Sequence, residues 1–327
     1  MELPIEEQIT SRWEGRPYKE KTNDQTEQTE QILFFVLALV TVLLLSGCIS
    51  SKNAVFSFDV TADMRKYAGP QYQTSKYFMG ACEAIDDIGK GAFTVSVGDI
   101  DPPEYVSKTV EKVLGSDYTW YPVVGNHEKE TPNDMTWLRN WGQSDIPYLV
   151  QRGPENCEST TYSFDFKNAH FVVLNEYYDG KSDVATNGDV TKPLYEWLKS
   201  DLEATSKPFI FVFGHESIVP IPDINSGCYR HVGGNLDAHP ENNHRFQELL
   251  RNHNVTAYIC GHIHGFSFSK INGLWQLDAA HCRGIGDKGT KSTFLKVWVG
   301  RDKCRVDVYR YEQNGNVYSL NRTIELN

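Results

Sequence analysis

Five short apolar runs in this chain end in residues of the types that bind divalent metals. Residues 119–128 (TWYPVVGNHE) show the pattern most fully: an apolar run through Val124 stops at Gly125, and Asn126, His127 and Glu128 follow at once. A short buried run ending in glycine predicts a strand that delivers polar side chains to a loop. The same grammar recurs at residues 54–60 before Asp63, at 92–97 before Gly98-Asp99, at 208–213 before Gly214-His215 and at 255–260 before Gly261-His262-Ile263-His264. Singly, each is weak. Asp63 serves equally as a helix N-cap or turn residue, and a lone histidine at a strand end is more often a turn or core residue. Gly-His-x-His is stronger, because alternate residues can approach one centre. Asp, Asn and His suit borderline or hard ions such as Mn, Fe and Zn, with no thiolate needed. There are more candidates than one tetrahedral site requires. That points to two ions sharing a carboxylate, ~3.5–4 Å apart, the geometry that hydrolyses phosphate esters.

Such residues need a scaffold that brings their strand ends together. The connections between the runs are helical or long, so the sheet carrying them is predicted to be partly parallel, with ligands beyond its carboxyl edge. Apolar periodicity predicts helices over residues 73–88 (Tyr77, Ala81, Ala84, Ile88), 106–114, 193–203 (Leu194, Trp197, Leu198, Leu202) and 245–252, and the start of a short one at 135–140. Residues 160–166 and 170–175 predict antiparallel strands around a tight turn at Asn168. Residues 274–277, 293–299, 305–311 and 317–324 predict a second sheet, with Asn314-Gly315 as the hairpin turn between the last two. Residues 220–243 are rich in Pro, Gly, Asn and Asp and hold His231 and His239. This long loop reads either as a border of the pocket or as a plain surface excursion.

At 327 residues and 40% hydrophobic, the chain can bury the core of one large domain or two small ones. The net charge is −11; residues 1–47 carry 8 acids and 4 bases, and the remainder keeps −7. That argues against nucleic-acid binding through a general basic surface. It leaves room for a small anionic substrate held locally by cations. Seven cysteines (Cys48, Cys82, Cys157, Cys228, Cys260, Cys282, Cys304) form no Cys-x-x-Cys pair, which argues against a zinc knuckle.

Residues 1–31 are polar, lack periodicity and are predicted to be disordered. Residues 32–45 are apolar except for Thr41, and Ser46-Gly47-Cys48 follows. That run is short for a membrane span, which needs ~20 residues, and suits the apolar core of an export signal. Leu45-Ser46-Gly47-Cys48 resembles the lipobox of prokaryotic lipoproteins, which implies lipid on Cys48. It departs upstream, where polar, net-acidic residues stand in place of a short basic segment. The alternatives are an uncleaved anchor extended through Ile49 and a buried helix. Signal or anchor, residues 32–48 would attach the chain to a membrane and place residues 52–327 outside the cytoplasm, at the cell surface or in the periplasm. Disulfides are permitted there, and lipidation of Cys48 would leave an even number of cysteines.

The order Asp63, Gly98-Asp99, Gly125-Asn126-His127-Glu128, Gly214-His215 and Gly261-His262-Ile263-His264 resembles the calcineurin-like metallophosphoesterase superfamily, from about residue 54 to 268 and more weakly to the C-terminus. The resemblance implies an α/β fold over residues 52–327, a four-layer α/β/β/α sandwich of two packed mixed sheets flanked by helices. It implies two divalent metal ions (Mn, Fe or Zn) bridged by Asp99. Asp63 and His264 would serve the first, and Asn126, His215 and His262 the second. Catalysis would be hydrolysis of a small phosphate mono- or diester by metal-bound hydroxide, with His127 contacting the phosphoryl group and helping to protonate the leaving oxygen.

One motif departs. The family's first motif is usually Asp-x-His, whereas here it is Asp63-Met64-Arg65. An arginine cannot deprotonate to become a ligand. Purple acid phosphatases also lack this histidine but use a tyrosine three residues after the bridging aspartate, a position held here by Pro102. Asp101 or water could fill the gap, Arg65 could grip a substrate phosphate bidentately, or Arg65 could point away and pair with a surface acid. The alternative function is therefore a non-catalytic or single-metal surface binding protein that retains the fold. A metal-dependent amidase explains Gly125-Asn126-His127-Glu128 poorly.

Overall fold

The computed structural model describes residues 55–313 and 317–326. The N-terminal segment with Cys48, and the Asn314-Gly315 turn, lie outside the described residues. In the first sheet β1 (Phe56–Thr61), β2 (Phe93–Val97) and β3 (Thr119–Val123) run parallel. They are linked by α1 (Phe78–Ile88) and α2 (Pro103–Leu114). After β3 come α3 (Asn126–Glu130) and α4 (Pro132–Gln143). In the second sheet β4 (Leu149–Arg152) and β5 (Tyr162–Phe166) lead into β6 (Ala169–Val173), which is parallel to β7 (Phe209–Phe213) and β8 (Ala257–Cys260). The helices α5 (Lys192–Ala204) and α6 (Pro240–Asn252) make the crossovers. A hairpin, β9 (Phe266–Ile271) with β10 (Leu274–Ala279), closes that sheet, β10 lying parallel to β8. The chain then returns to the first sheet as β11 (Thr293–Val299), β12 (Cys304–Glu312) and β13 (Val317–Glu325).

Strands covered on both faces read as continuous apolar runs. Accordingly β2, β6 and β7 are buried at every residue. Between the sheets lies an aromatic core: Phe58 stacks on Phe93 with ring centroids 5.3 Å apart and meets Phe171 edge-on at 5.2 Å. Each such buried side chain contributes about 1.5–3 kcal/mol of burial energy. Phe78 and Ile85 of α1, Val106 of α2 and Leu138 of α4 form a separate cluster on the helix side of the first sheet. Leu194 and Leu198 of α5 and Phe246 and Leu250 of α6 do the same for the second. The result is the four-layer α/β/β/α sandwich with two mixed sheets.

Several elements differ from the sequence expectation. The five metal-type strand ends are divided between two sheets, β1, β2 and β3 in one and β7 and β8 in the other. The late strands form no sheet of their own. β10 joins the second sheet, and β11 pairs antiparallel with β1 (Phe56↔Val299), so β11–β13 extend the first. Helices α2 and α6 begin earlier, at Pro103 and Pro240, because proline is preorganised for the first helical position. The helix expected from residue 73 starts at Phe78, after two 3-10 turns (Arg65–Ala68 and Pro70–Tyr72) separated by Gly69. The strands β4 and β9 were not anticipated. Five of the six described cysteines are buried, Cys228 is half-buried, and all six are free thiols. Among the described residues no helix is long and apolar enough to cross a membrane.

A buried polar network ties β5 and β6 to α5. His170 places Nδ1 2.8 Å from Asp165 Oδ1 and Nε2 2.8 Å from Asp201 Oδ2, and Ser163 Oγ donates to Asp201 Oδ1 at 2.6 Å. Burial alone would push the His170 pKa down, but its two carboxylate partners outweigh this and hold it above the usual 6.5. A raised folded-state pKa gives stability that is complete below pH ~6.5 and is lost as pH rises through the folded value. Urea midpoints measured from about pH 5 to about pH 9 are therefore expected to fall on the alkaline side. In His170→Gln that component of the slope is expected to disappear.

Candidate metal centre

The loops that follow β1, β2, β3, β7 and β8 meet at one end of the sandwich, and glycine lets them approach. A Cβ on Gly98 (φ +82°) would lie 2.2 Å from His215 Nδ1, and one on Gly125 would lie 2.2 Å from the Asp99 nitrogen. The glycine that ends four of the five runs, all but the one before Asp63, is thus a clearance between neighbouring loops. The residues aimed inward carry backbone strain: Asp63, Asp99, His262 and His264 have φ of 52°, 51°, 69° and 56°. Left-handed backbone at non-glycine residues costs of order 1–3 kcal/mol each and clusters at functional sites.

The second position is the better formed. Asn126 Oδ1 lies 3.3 Å from His215 Nε2 and 3.1 Å from His262 Nδ1, and the two nitrogens are 3.3 Å apart. Asp99 Oδ1 is 3.4 Å from His215 Nε2. Ligand atoms held ~2.1 Å from one centre in tetrahedral or octahedral array stand ~3.0–3.4 Å from each other, so this spacing suits a divalent ion. The imidazoles are oriented from behind. His215 Nδ1 lies 2.8 Å from the Val97 carbonyl, and His262 Nε2 is 3.4 Å from Glu216 Oε2. Each ring thus turns its other nitrogen inward, as metal-binding histidines do.

At the first position Asp63 Oδ1 is 3.2 Å from His264 Nε2. Asp63, Asp99 and His215 can each offer a ligand atom within 4.8 Å of the others, which joins the two positions through Asp99. Asp63 Oδ1 and Glu216 Oε2 are buried without a hydrogen-bond partner. Burial would raise the Asp63 pKa, but His264, His215 and Arg283 hold it well below the usual carboxylate range. Burial pulls His215 down, yet Asp99 and Asp63 lift it to about 10, while His262, buried beside His215 and His231, falls to about 2. The acids of this cluster demand positive charge, and a divalent cation satisfies the same demand. On both counts, spacing and charge, these residues suit metal ions.

His127 opens α3. Its backbone N–H donates to Asp99 Oδ1 at 3.1 Å, its Nε2 lies 3.6 Å from Asp99 Oδ2, and its side chain is 29% exposed. It therefore stands between the cluster and solvent. Arg65 pairs with an acid: its Nε donates to Asp101 Oδ1 at 3.2 Å, with the side chain 36% exposed. The loop over residues 220–243 borders the cluster, because the His231 ring lies 4.3 Å from that of His262. Its foot is clamped by Asp223 and Arg310, fully buried and 2.6 Å apart. His239 lies instead at the start of α6, 4.0 Å from Asp189.

Several residues at the site were given no role of their own from sequence, Glu128 among them although it lies in the Gly125-Asn126-His127-Glu128 motif. Glu128 accepts three backbone N–H groups, from Gly125 (2.7 Å), Asp99 (3.0 Å) and Ile100 (2.8 Å), and so fixes the bridging aspartate's loop. Glu176 after β6 accepts from the His215 and Glu216 nitrogens and from Tyr258. Asp287 Oδ2 lies 2.7 Å from His264 Nδ1, and Arg230 and Arg283 pair with the same oxygen. Glu176 did carry a signal, being the acid just beyond an apolar run. Arg230, Arg283 and Asp287 lie in loops with no periodicity.

Fold and cluster together define an α/β sandwich with metal-type ligands at the ends of parallel strands from two sheets. The family model of the calcineurin-like phosphoesterases matches residues 57–266, which span all five motifs, and the chain belongs to that family. Among solved structures it is similar to GAP50, the anchor in the inner membrane complex of Plasmodium, at 16% identity and a TM-score of 0.53, covering 83% of this chain and 88% of that one. It is also similar to PhoD, at 12% identity and a TM-score of 0.55, covering 82% of this chain and 69% of that one. At these identities the likeness shows the fold alone. No curated protein matches the chain significantly.

Replacing Glu216 by Gln keeps an acceptor for the Tyr177 hydroxyl and removes the ionisable carboxyl behind His262. Metal affinity, measured by competition with a chromophoric chelator, is expected to fall ~10–100-fold.

Proposed function

We propose that this chain is a metal-dependent phosphoesterase acting on a small phosphate mono- or diester. One observation carries the proposal: Asn126 Oδ1, His215 Nε2 and His262 Nδ1 stand 3.1–3.3 Å apart and adjoin Asp99, which groups with Asp63, itself 3.2 Å from His264 Nε2. Two divalent ions held by these residues would lower the pKa of bound water and neutralise charge on the phosphoryl oxygens. The protein's own groups do the rest. Glu128 holds the Asp99 loop still through its three backbone bonds. His127, at the solvent edge of the cluster, contacts the phosphoryl group and donates a proton to the leaving oxygen. Arg65, steadied by Asp101, keeps its terminal N–H groups for the anionic substrate.

The full-length chain with Mn or Fe is expected to hydrolyse a generic aryl phosphate. Asp99→Asn and His215→Ala are each expected to lose at least ~100-fold of that rate, since first-contact ligands matter more than the groups behind them. Undiminished hydrolysis in both variants overturns the assignment. A second reading, a surface binding protein without turnover, is favoured by Arg65 standing where the family usually has a ligand histidine. It predicts no hydrolysis of any ester at saturating metal.

Attachment to the outer face of a membrane rests on the sequence Leu45-Ser46-Gly47-Cys48 after an apolar run. Radiolabelled palmitate is expected to label the wild-type chain and not Cys48→Ala; label on neither favours the uncleaved anchor.

A further inference from the structure

We propose that Arg283 makes the metal centre asymmetric: one divalent ion binds tightly at Asn126, His215 and His262, and a second binds at Asp63 and His264 at least ~10-fold more weakly. This rests on the cluster being a metal centre, as proposed above.

What stands behind the two ligand histidines differs. A carboxylate behind a histidine makes the ring a stronger ligand. Behind His262 that carboxylate is Glu216, whose Oε2 faces the ring at 3.4 Å and whose Oε1 accepts the Tyr177 hydroxyl at 2.7 Å. Among the described residues this carboxyl pairs with no arginine or lysine. Behind His264 it is Asp287, 2.7 Å from Nδ1, but the same oxygen is taken by Arg230 at 2.8 Å and Arg283 at 3.0 Å. Two guanidiniums share that one carboxylate, so Asp287 lends His264 less negative charge than an unpaired carboxylate would.

Arg230 also touches the ring, its Nη1 lying 2.5 Å from His264 Nδ1, but Arg283 is the more deeply buried of the two and the one tied to Asp63. Arg283 Nη2 lies 3.4 Å from both ring nitrogens of His264, so the guanidinium lies over the imidazole. Its Nε donates to the Asp63 carbonyl at 2.8 Å, and its guanidinium carbon is 5.6 Å from the Tyr67 ring centroid. The side chain is only 8% exposed, and a guanidinium does not deprotonate. A permanent buried charge is poorly screened, so it repels a cation arriving between Asp63 and His264. The same position lacks the histidine that Arg65 replaces. Arg283 is thus a positioning residue with two effects: it holds the strained Asp63 backbone in place and supplies positive charge of its own.

Mn titration of the purified full-length chain, followed by calorimetry and electron paramagnetic resonance, tests this. The wild type is expected to take one tight equivalent with an uncoupled Mn spectrum. A spin-coupled signal should grow only at ~10-fold or higher Mn. Arg283→Met is expected to narrow the gap between the two steps. Arg283→Lys, which keeps the charge and loses the fork, should preserve it. Two equivalents bound with equal affinity by the wild type, or an unchanged gap in Arg283→Met, overturns this proposal alone. Uptake of no ion by the wild type overturns it together with the phosphoesterase reading.

Discussion

Carboxylates withdrawn from water govern this end of the molecule. Asp63, Asp99, Glu128, Glu176, Glu216 and Asp278 are each at most 1% exposed. An uncompensated buried charge costs several kcal/mol, and burial accordingly pushes the carboxyls of Glu128, Glu176, Glu216 and Asp278 up, while Asp63 is held down by the cations around it. Backbone N–H groups answer Glu128 and Glu176, and imidazoles and a guanidinium answer Asp63. Burial raises the Glu216 carboxyl to about 8, and His215 only partly offsets this. What the protein leaves unbalanced is the demand for positive charge at the centre, and that demand defines the chemistry the site can support.

The same demand explains the strain. Four inward-facing residues hold left-handed backbone, a conformation the aromatic core between the sheets can hold in place because it over-determines where the strands end. The stability of the sandwich and the aim of its ligands are therefore one problem. Packing of Phe58, Phe93 and Phe171 fixes the distance across which Asp99 and His215 meet.

The five motif strands were legible because a buried strand is a mostly apolar run and because, in four of the five, glycine marks the close passage of loops at its end. The four-layer class followed from their resemblance to a known family. The partition into two sheets was not legible, since β11 reaches β1 across more than two hundred residues and nothing local in either strand records the pairing. Groups that touch ligands from behind were legible only in part. Glu128 lies inside a motif, and Glu176 and Glu216 adjoin strand ends. Arg283 and Asp287 depend on a loop path that only the folded chain reveals. Arg65 could be recognised as a departure from sequence, but its choice of Asp101 as partner required coordinates.

The division of the ligands between the two sheets has a mechanical outcome. Asp63, Asp99 and Asn126 follow strands of one sheet, and His215, His262 and His264 follow strands of the other. A cation gripped by both would act as a rivet through the sandwich. Sliding or breathing of one layer over its partner would then be felt first as a change in how firmly that rivet is held, far from wherever the disturbance began.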